Sequence, residues 1–188
     1  MPPTHLNANP YERRAPQGEA VSDHWTTLRY VGAGTRIVLG IITLWAFFDK
    51  LFGLSYATKP AGAWIRGGSP TNGFLGHTTG WMSGFFHAIA GNVVTDTLFM
   101  AALLGIGLAL LLGIGIRVAG ISGAVLMLMM YAAATLGVAA TSNPVVDDHI
   151  VYALLFVGFA VYPVVGNTLG FGRAWQNSAL VRKFPMLA

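Results

Sequence analysis

The stretch VVTDTLFMAALLGIGLALLL, residues 93–112, decides how this chain is read. Its single ionisable side chain is Asp96, and from Leu98 onward every residue is apolar or glycine. A helix needs about twenty mostly apolar residues to cross a hydrocarbon core about 30 Å thick, because lipid offers backbone N–H and C=O groups no partners. Three further stretches share this character: residues 30–54, 117–139 and 149–165. Together they predict an all-α membrane protein: a four-transmembrane-helix bundle with a long outer loop between the first two spans.

Composition agrees. Only 10% of the 188 residues are charged, and the mean hydropathy of +0.60 argues against a soluble domain. The 24 glycines suit a membrane bundle, where small residues let helix backbones approach closely. The absence of cysteine removes disulfides, iron–sulfur clusters, thiolate metal sites and cysteine nucleophiles. The formal charge of +4 does not point to nucleic acid, since the basic residues flank helix ends and form no stripe.

Three regions follow. Residues 1–29 form a polar tail carrying Pro2, Pro3, Pro10, Pro16 and the Arg13–Arg14 pair, read as a retained segment and not a cleaved signal. Residues 30–170 form the bundle and residues 171–188 a second tail. Arg13, Arg14, Arg29, Arg117, Arg173, Arg182 and Lys183 fall on one side; Lys50, Lys59 and Arg66 fall on the other. The positive-inside rule then places a multi-pass protein in the plasma membrane with both termini cytoplasmic. Trp25, Tyr30 and Trp175 are expected as aromatic anchors at the inner interface. In the outer loop, GWMSGFFHAIA (residues 80–90) sets Trp81, Phe85 and Ile89 four residues apart. This is an amphipathic pattern too short to span, expected to lie in the interface or cap the bundle.

Charges near a bilayer are costly, so the few present are the candidates for function. Arg36 has Gly32 and Gly40 four residues to either side, so it either faces the bundle or snorkels to the interface. Lys50 lies fourteen residues on, about 21 Å away along a helix. The topology gathers Asp49, Lys50, His77, His87, Asp96, Asp147, Asp148 and His149 at the outer face, with Asp96 expected to face Lys50, Arg66 or a histidine. Lys50, Asp96, Asp148 and His149 are the candidate catalytic residues. Arg36, Asp49, Arg66, His77, His87, Asp147 and Tyr152 are candidate substrate-binding residues, with helix capping the alternative for Asp147. The stripe His149, Tyr152, Phe156 and Phe159 reads as helix packing or as the wall of a quinone site. No metal site is expected, because His77 and His87 lack a compact ligand spacing, and no bound cofactor is evident. Ala101, Gly105, Ala109 and Gly113 make a small-residue contact face, and Met127, Met129 and Met130 read as adaptable packing.

The chain resembles the DoxX/DoxD family of small four-helix membrane proteins. The matching pieces are RIVLG at residues 36–40 with Trp45 and Asp49-Lys50-Leu51, AWIRGGSP at residues 63–70 with Gly73-Phe74-Leu75, and Phe85-Phe86-His87. LLGIG at residues 103–107, Ser142-Asn143-Pro144, Asp147-Asp148-His149 with Tyr152, and the exit at residues 170–172 complete the match. The resemblance adds Trp64 and Asn143 to the candidate binding residues. It implies a subunit of a redox complex, in the manner of thiosulfate:quinone oxidoreductase, with quinone as co-substrate and other membrane or redox-complex subunits as partners. The alternative is a non-catalytic accessory or anchor subunit of a respiratory or other membrane redox complex. A small transporter is disfavoured, since no two structural repeats are evident.

The topology is testable without background labelling. An impermeant thiol reagent should label Val146→Cys in intact cells and Pro10→Cys only after lysis; labelling of Pro10→Cys in intact cells would overturn the orientation.

Overall fold

A computed structural model describes residues 17–134 and 146–187, with side chains described from residue 24 onward. The described residues are helical, joined by turns. Helix α1 (Gln17–Phe52) leads through 3₁₀ turns at Pro60–Gly62 and Trp64–Arg66 to the short α2 (Asn72–Leu75) and α3 (Ser83–Ile89). Then come α4 (Val93–Leu112), α5 (Ile116–Ala134), α6 (Asp148–Val161), a 3₁₀ turn at Pro163–Asn167, α7 (Gly172–Gln176), α8 (Ala179–Lys183) and a last 3₁₀ turn at Pro185–Leu187.

Among the described residues, three helices are long and apolar enough to cross a membrane: His24–Phe52 within α1, then α4 and α5. The fourth apolar stretch behaves differently from expectation. Its helix α6 has 14 residues, about 21 Å at 1.5 Å per residue, and stops at Val161 instead of running on to residue 165. Pro163 explains the stop: the residue before a proline is driven out of the helical region, and Tyr162 sits at φ −122°, ψ 66°. At the other end of the chain, α1 begins at Gln17, well inside the segment read as a polar tail. The end of the third apolar stretch, residues 135–139, lies outside the described residues.

The helices pair closely, α1 with α4 and α5 with α6, and glycines permit both approaches. A Cβ on Gly107 would lie 2.6 Å from Leu44 Cγ, and one on Gly120 would lie 2.6 Å from the Ala160 backbone nitrogen. The contact face of α4 is therefore not quite the one expected. Gly107 meets α1, whereas Gly105 has open space around it and Ala101 is exposed. A core of Leu39, Ile106, Leu110, Phe156, Phe159 and Val165 joins the two pairs.

Arg36 settles its own orientation by facing inward. It is fully buried, and its guanidinium binds the end of α4. The last four carbonyls of a helix have no partner within it, and in α4 all of them find one. Ala109 O accepts from Gly113 N at 2.9 Å and Ile114 N at 3.1 Å. Leu110 O and Leu111 O accept from Arg36 Nη1. Leu112 O accepts from Phe171 N at 2.8 Å. The other arm, Nη2, donates to Thr168 O at 3.2 Å and Leu169 O at 3.0 Å. A cation at a helix C-terminus also complements the macrodipole. Gly32 and Gly40 keep this face small: Cβ atoms there would come within 3.0 Å of Val165 Cγ1 and Leu111 N respectively.

Replacing Arg36 should therefore be a folding lesion. With each orphaned buried carbonyl costing about 1–3 kcal/mol, Arg36→Leu should lose roughly 3–5 kcal/mol, read as a large drop in thermal midpoint in detergent. Arg36→Lys should not rescue it, because a point ammonium cannot serve two pairs of carbonyls as the planar fork does; a melt matching the parent would refute this account.

Candidate functional site

At the opposite end of the bundle, where α1 finishes and α4 begins, two buried carboxylates organise the long loop. Asp49, 1% exposed, accepts from Tyr56 N at 3.2 Å and Ala57 N at 3.1 Å, closing the turn after α1. That turn needs Gly53, whose φ of +67° and near-contact with Pro60 leave no room for a side chain. Asp96, also buried, does not face a cation. Its Oδ1 accepts from Ser69 Oγ at 3.0 Å, Thr71 N at 3.1 Å and Thr71 Oγ1 at 2.6 Å. Thr71 Oγ1 in turn accepts from Gly91 N at 3.2 Å. The expectation of Lys50, Arg66 or a histidine beside Asp96 is thus corrected: hydroxyls and a backbone amide solvate this carboxylate and pin residues 69–71 over the start of α4.

The pinned loop roofs a cavity of about 420 Å³ between α4 and α5. Its body is apolar, built from Phe74, Phe86, Phe99, Leu126 and Met130, with Ala102 and Ser122 as small residues on the facing helices. Lys50, Thr71, Thr95 and Ser122 bring the polar groups. Leu98, Ser122, Val125 and Met129 line it and are exposed, so it opens sideways between the two helices. Lys50 Nζ lies 6.0 Å from the centre of the Phe99 ring; the neighbouring Asp49 carboxylate acts on its charge, yet among the described residues it closes no salt bridge. A cavity of this size, mostly apolar with a few converging polar groups, has the usual character of a ligand site.

The other candidates are distributed around it. Trp64 packs against the cluster of Phe47, Met100 and Leu103. Arg66 is exposed. His77 Nδ1 lies 3.1 Å from Gly73 O, and His87 Nε2 lies 2.9 Å from Thr78 O, so both rings tie their own loop together. Helix α3 caps the bundle as expected, but through Phe86, which packs with Leu75 and Ala133; Trp81 and Phe85 are exposed.

At the start of α6, Asp147 is the N-cap. Its Oδ1 accepts from His149 N at 3.1 Å and Ile150 N at 3.4 Å, and its Oδ2 lies 2.8 Å from His149 Nδ1. Asp148 Oδ1 lies 3.5 Å from the same nitrogen. The ligand atoms of these three residues lie within 4.8 Å of one another, while the bonds they make are those of a capped helix start. The cavity wall includes none of them, and it includes Lys50 but not Asp96 among the candidate catalytic residues. Tyr152 is half-buried against the core, and Phe156 and Phe159 are buried within it, so these members of the stripe pack in the core and take no part in the cavity beside Lys50. Asn143 lies outside the described residues.

Of the cavity's lining, Lys50 alone is among the catalytic and binding candidates proposed from the sequence. Met129 and Met130, read as packing, line it, whereas Met127 does pack on the core. The available signal was the pair of small residues Ala102 and Ser122 on helices that turn out to face each other. Nothing in either helix's own periodicity marks that pairing.

The described fold defines a class. It is all-helical, with three helices long and apolar enough to cross a membrane. These helices leave Val38, Ile41, Trp45, Leu98, Ile121 and Leu128 exposed, a surface that suits lipid and not water. Compared with known proteins, the chain matches no family model, no curated protein and no solved structure.

If Asp96 holds the roof, Asp96→Ala should free residues 69–75, raise their amide hydrogen exchange and cost about 2–3 kcal/mol through loss of charged hydrogen bonds. Unchanged exchange in that segment would show that the loop is held elsewhere.

Proposed function

We propose that the chain is a DoxX-like, four-span membrane subunit of a redox complex, receiving a lipid-soluble quinone in the cavity beside Lys50. In this reading α6 and the helical turn at Pro163–Asn167 together make the fourth crossing, with both termini in the cytoplasm. The observation that carries the proposal is the cavity itself: an apolar chamber opening sideways, towards the lipid that surrounds a bundle, with one lysine and three hydroxyls in its lining. A quinone matches this in kind. Its ring and tail suit the Phe86, Phe99 and Met130 walls, and its carbonyl oxygens accept hydrogen bonds from Lys50 and a hydroxyl. As a quinone takes up two electrons and two protons to become quinol, charge builds on those oxygens, and a cation beside them stabilises it.

Electrons would arrive from a donor on a partner subunit; for thiosulfate, two molecules join as tetrathionate and release two electrons. Lys59 and Arg66, both exposed in the loop, are cations that would meet such an anion. Arg36, Asp49 and Asp96 are given no chemical step, because their hydrogen-bonding groups already hold the backbone in place.

The accessory reading has its own supporting observation. Ala101 is exposed and Gly105 has open space around it, a small-residue surface of α4 that another helix could approach.

The two readings separate experimentally. If the cavity takes quinone, Lys50→Met and Ser122→Trp should each weaken binding of a short-chain quinone, and quinone-linked turnover, roughly ten- to hundredfold, the scale of one charge-assisted hydrogen bond, with the protein still inserted. If the chain is only an anchor, both variants are silent, Gly105→Leu releases partner subunits, and the complex keeps its quinone-linked activity without this chain.

A further inference from the structure

The end of the bundle where α4 passes into α5 carries a second cavity, of about 290 Å³, unlike the first in every respect. It is lined by Thr26, Arg29 and Tyr30 of α1 and by Asn167, Thr168 and Arg173 from the segment after α6. We propose that this pocket binds the phosphate group of an anionic phospholipid.

Charge is the first argument. Asp49, Asp96, Asp147 and Asp148 lie at the other end of the bundle, while at this end Glu19 and Asp23 precede the pocket residues along α1. Arg29 and Arg173 come from segments far apart in sequence yet line one cavity, and among the described residues neither has a carboxylate partner. Two unpaired guanidinium groups beside hydroxyls form a donor set matched to phosphate oxygens, which arginine can bind in a fork.

Preorganisation is the second. The wall is not a loose loop: the carbonyls of Thr168 and Leu169 are held from inside by Arg36 Nη2. Leu169 keeps a φ of +52° there, a backbone conformation that leucine adopts only when its surroundings impose it. A phosphate would therefore meet a pocket already formed.

The surroundings decide between a lipid and a soluble anion. Tyr30 and Leu169 line the pocket and are exposed, as are the adjacent Val31 and Phe171. A head group seated between the arginines would have apolar side chains beside it for its acyl chains, whereas free phosphate would make no use of them. Under the expected topology this end faces the cytoplasmic leaflet, where anionic lipids and basic pockets between helices meet. The inference is independent of any quinone at the other end.

The test uses the full-length protein in neutral detergent, titrated with short-chain phosphatidylglycerol and, separately, with inorganic phosphate, with bound species counted by native mass spectrometry. Saturable binding of phosphatidylglycerol is expected, weakened about tenfold or more in Arg29→Gln/Arg173→Gln. Arg182→Gln/Lys183→Gln, an equal change in net charge outside the pocket, should bind like the parent. Arg173→Lys should bind more weakly than the parent while keeping its charge and its melting point, which separates recognition from misfolding. Equal loss in both double variants, or no loss in the pocket variant, would overturn the site. Inorganic phosphate binding as tightly as the lipid would overturn the lipid as its ligand.

Discussion

A guanidinium buried inside a helical bundle constrains everything around it. Arg36 has no carboxylate partner among the described residues; its counter-charges are the partial negative charges of four carbonyl oxygens. Two belong to the end of α4 and two to the return after α6, so one side chain ties two separate segments to α1. A buried ion without a full counter-ion persists only where such dipoles replace its hydration. The need runs both ways, since α4 ends where lipid or protein, not water, surrounds its last carbonyls. The glycines on either side of Arg36 and the left-handed turn at Gly113 follow from this: backbone must come within reach of a planar fork from two directions.

The opposite end repeats the principle with the sign reversed. Asp49 and Asp96 are buried carboxylates solvated by amides and hydroxyls, each fixing one part of the long loop. Their neighbour Lys50 is left over. A lysine ammonium held near the Phe99 face, in a chamber otherwise lined by apolar groups, has hydrogen-bonding capacity that the described chain does not use. That contrast between occupied and unoccupied charges separates groups that build the fold from groups available to a ligand. Arg36, Asp49 and Asp96 belong to the first kind by the bonds they make to backbone.

The two cavities differ because the ends of the bundle differ. At one end the loop of residues 53–92 folds over the helices and roofs an apolar space that opens laterally. At the other, the chain returns directly against α1 and leaves a shallow pocket rimmed by arginines. The lining of the first is mostly apolar; that of the second carries Arg29 and Arg173. The buried cluster of Leu39, Ile106, Leu110 and Phe156 packs the interior of the bundle.

The amino-acid sequence by itself determined that the chain is helical and membrane-suited, because twenty-residue apolar runs have few other solutions. It also marked the residues worth following, since an ionisable group beside lipid must have a partner. Capping was readable where it is local: Asp147 bonds an amide two residues away. What the tertiary structure alone decided was which partner each charge finds. Asp96 meets Thr71, twenty-five residues away, and Arg36 meets Leu169, far along the chain; no periodicity encodes either meeting. The same holds for the contact face of α4, where glycines two positions apart, Gly105 and Gly107, have opposite fates once α1 is docked. It holds too for the cavity beside Lys50, which exists because small residues on two different helices come to lie across from one another. Single-segment pattern reports what a helix can bury; only docking specifies what it is buried against.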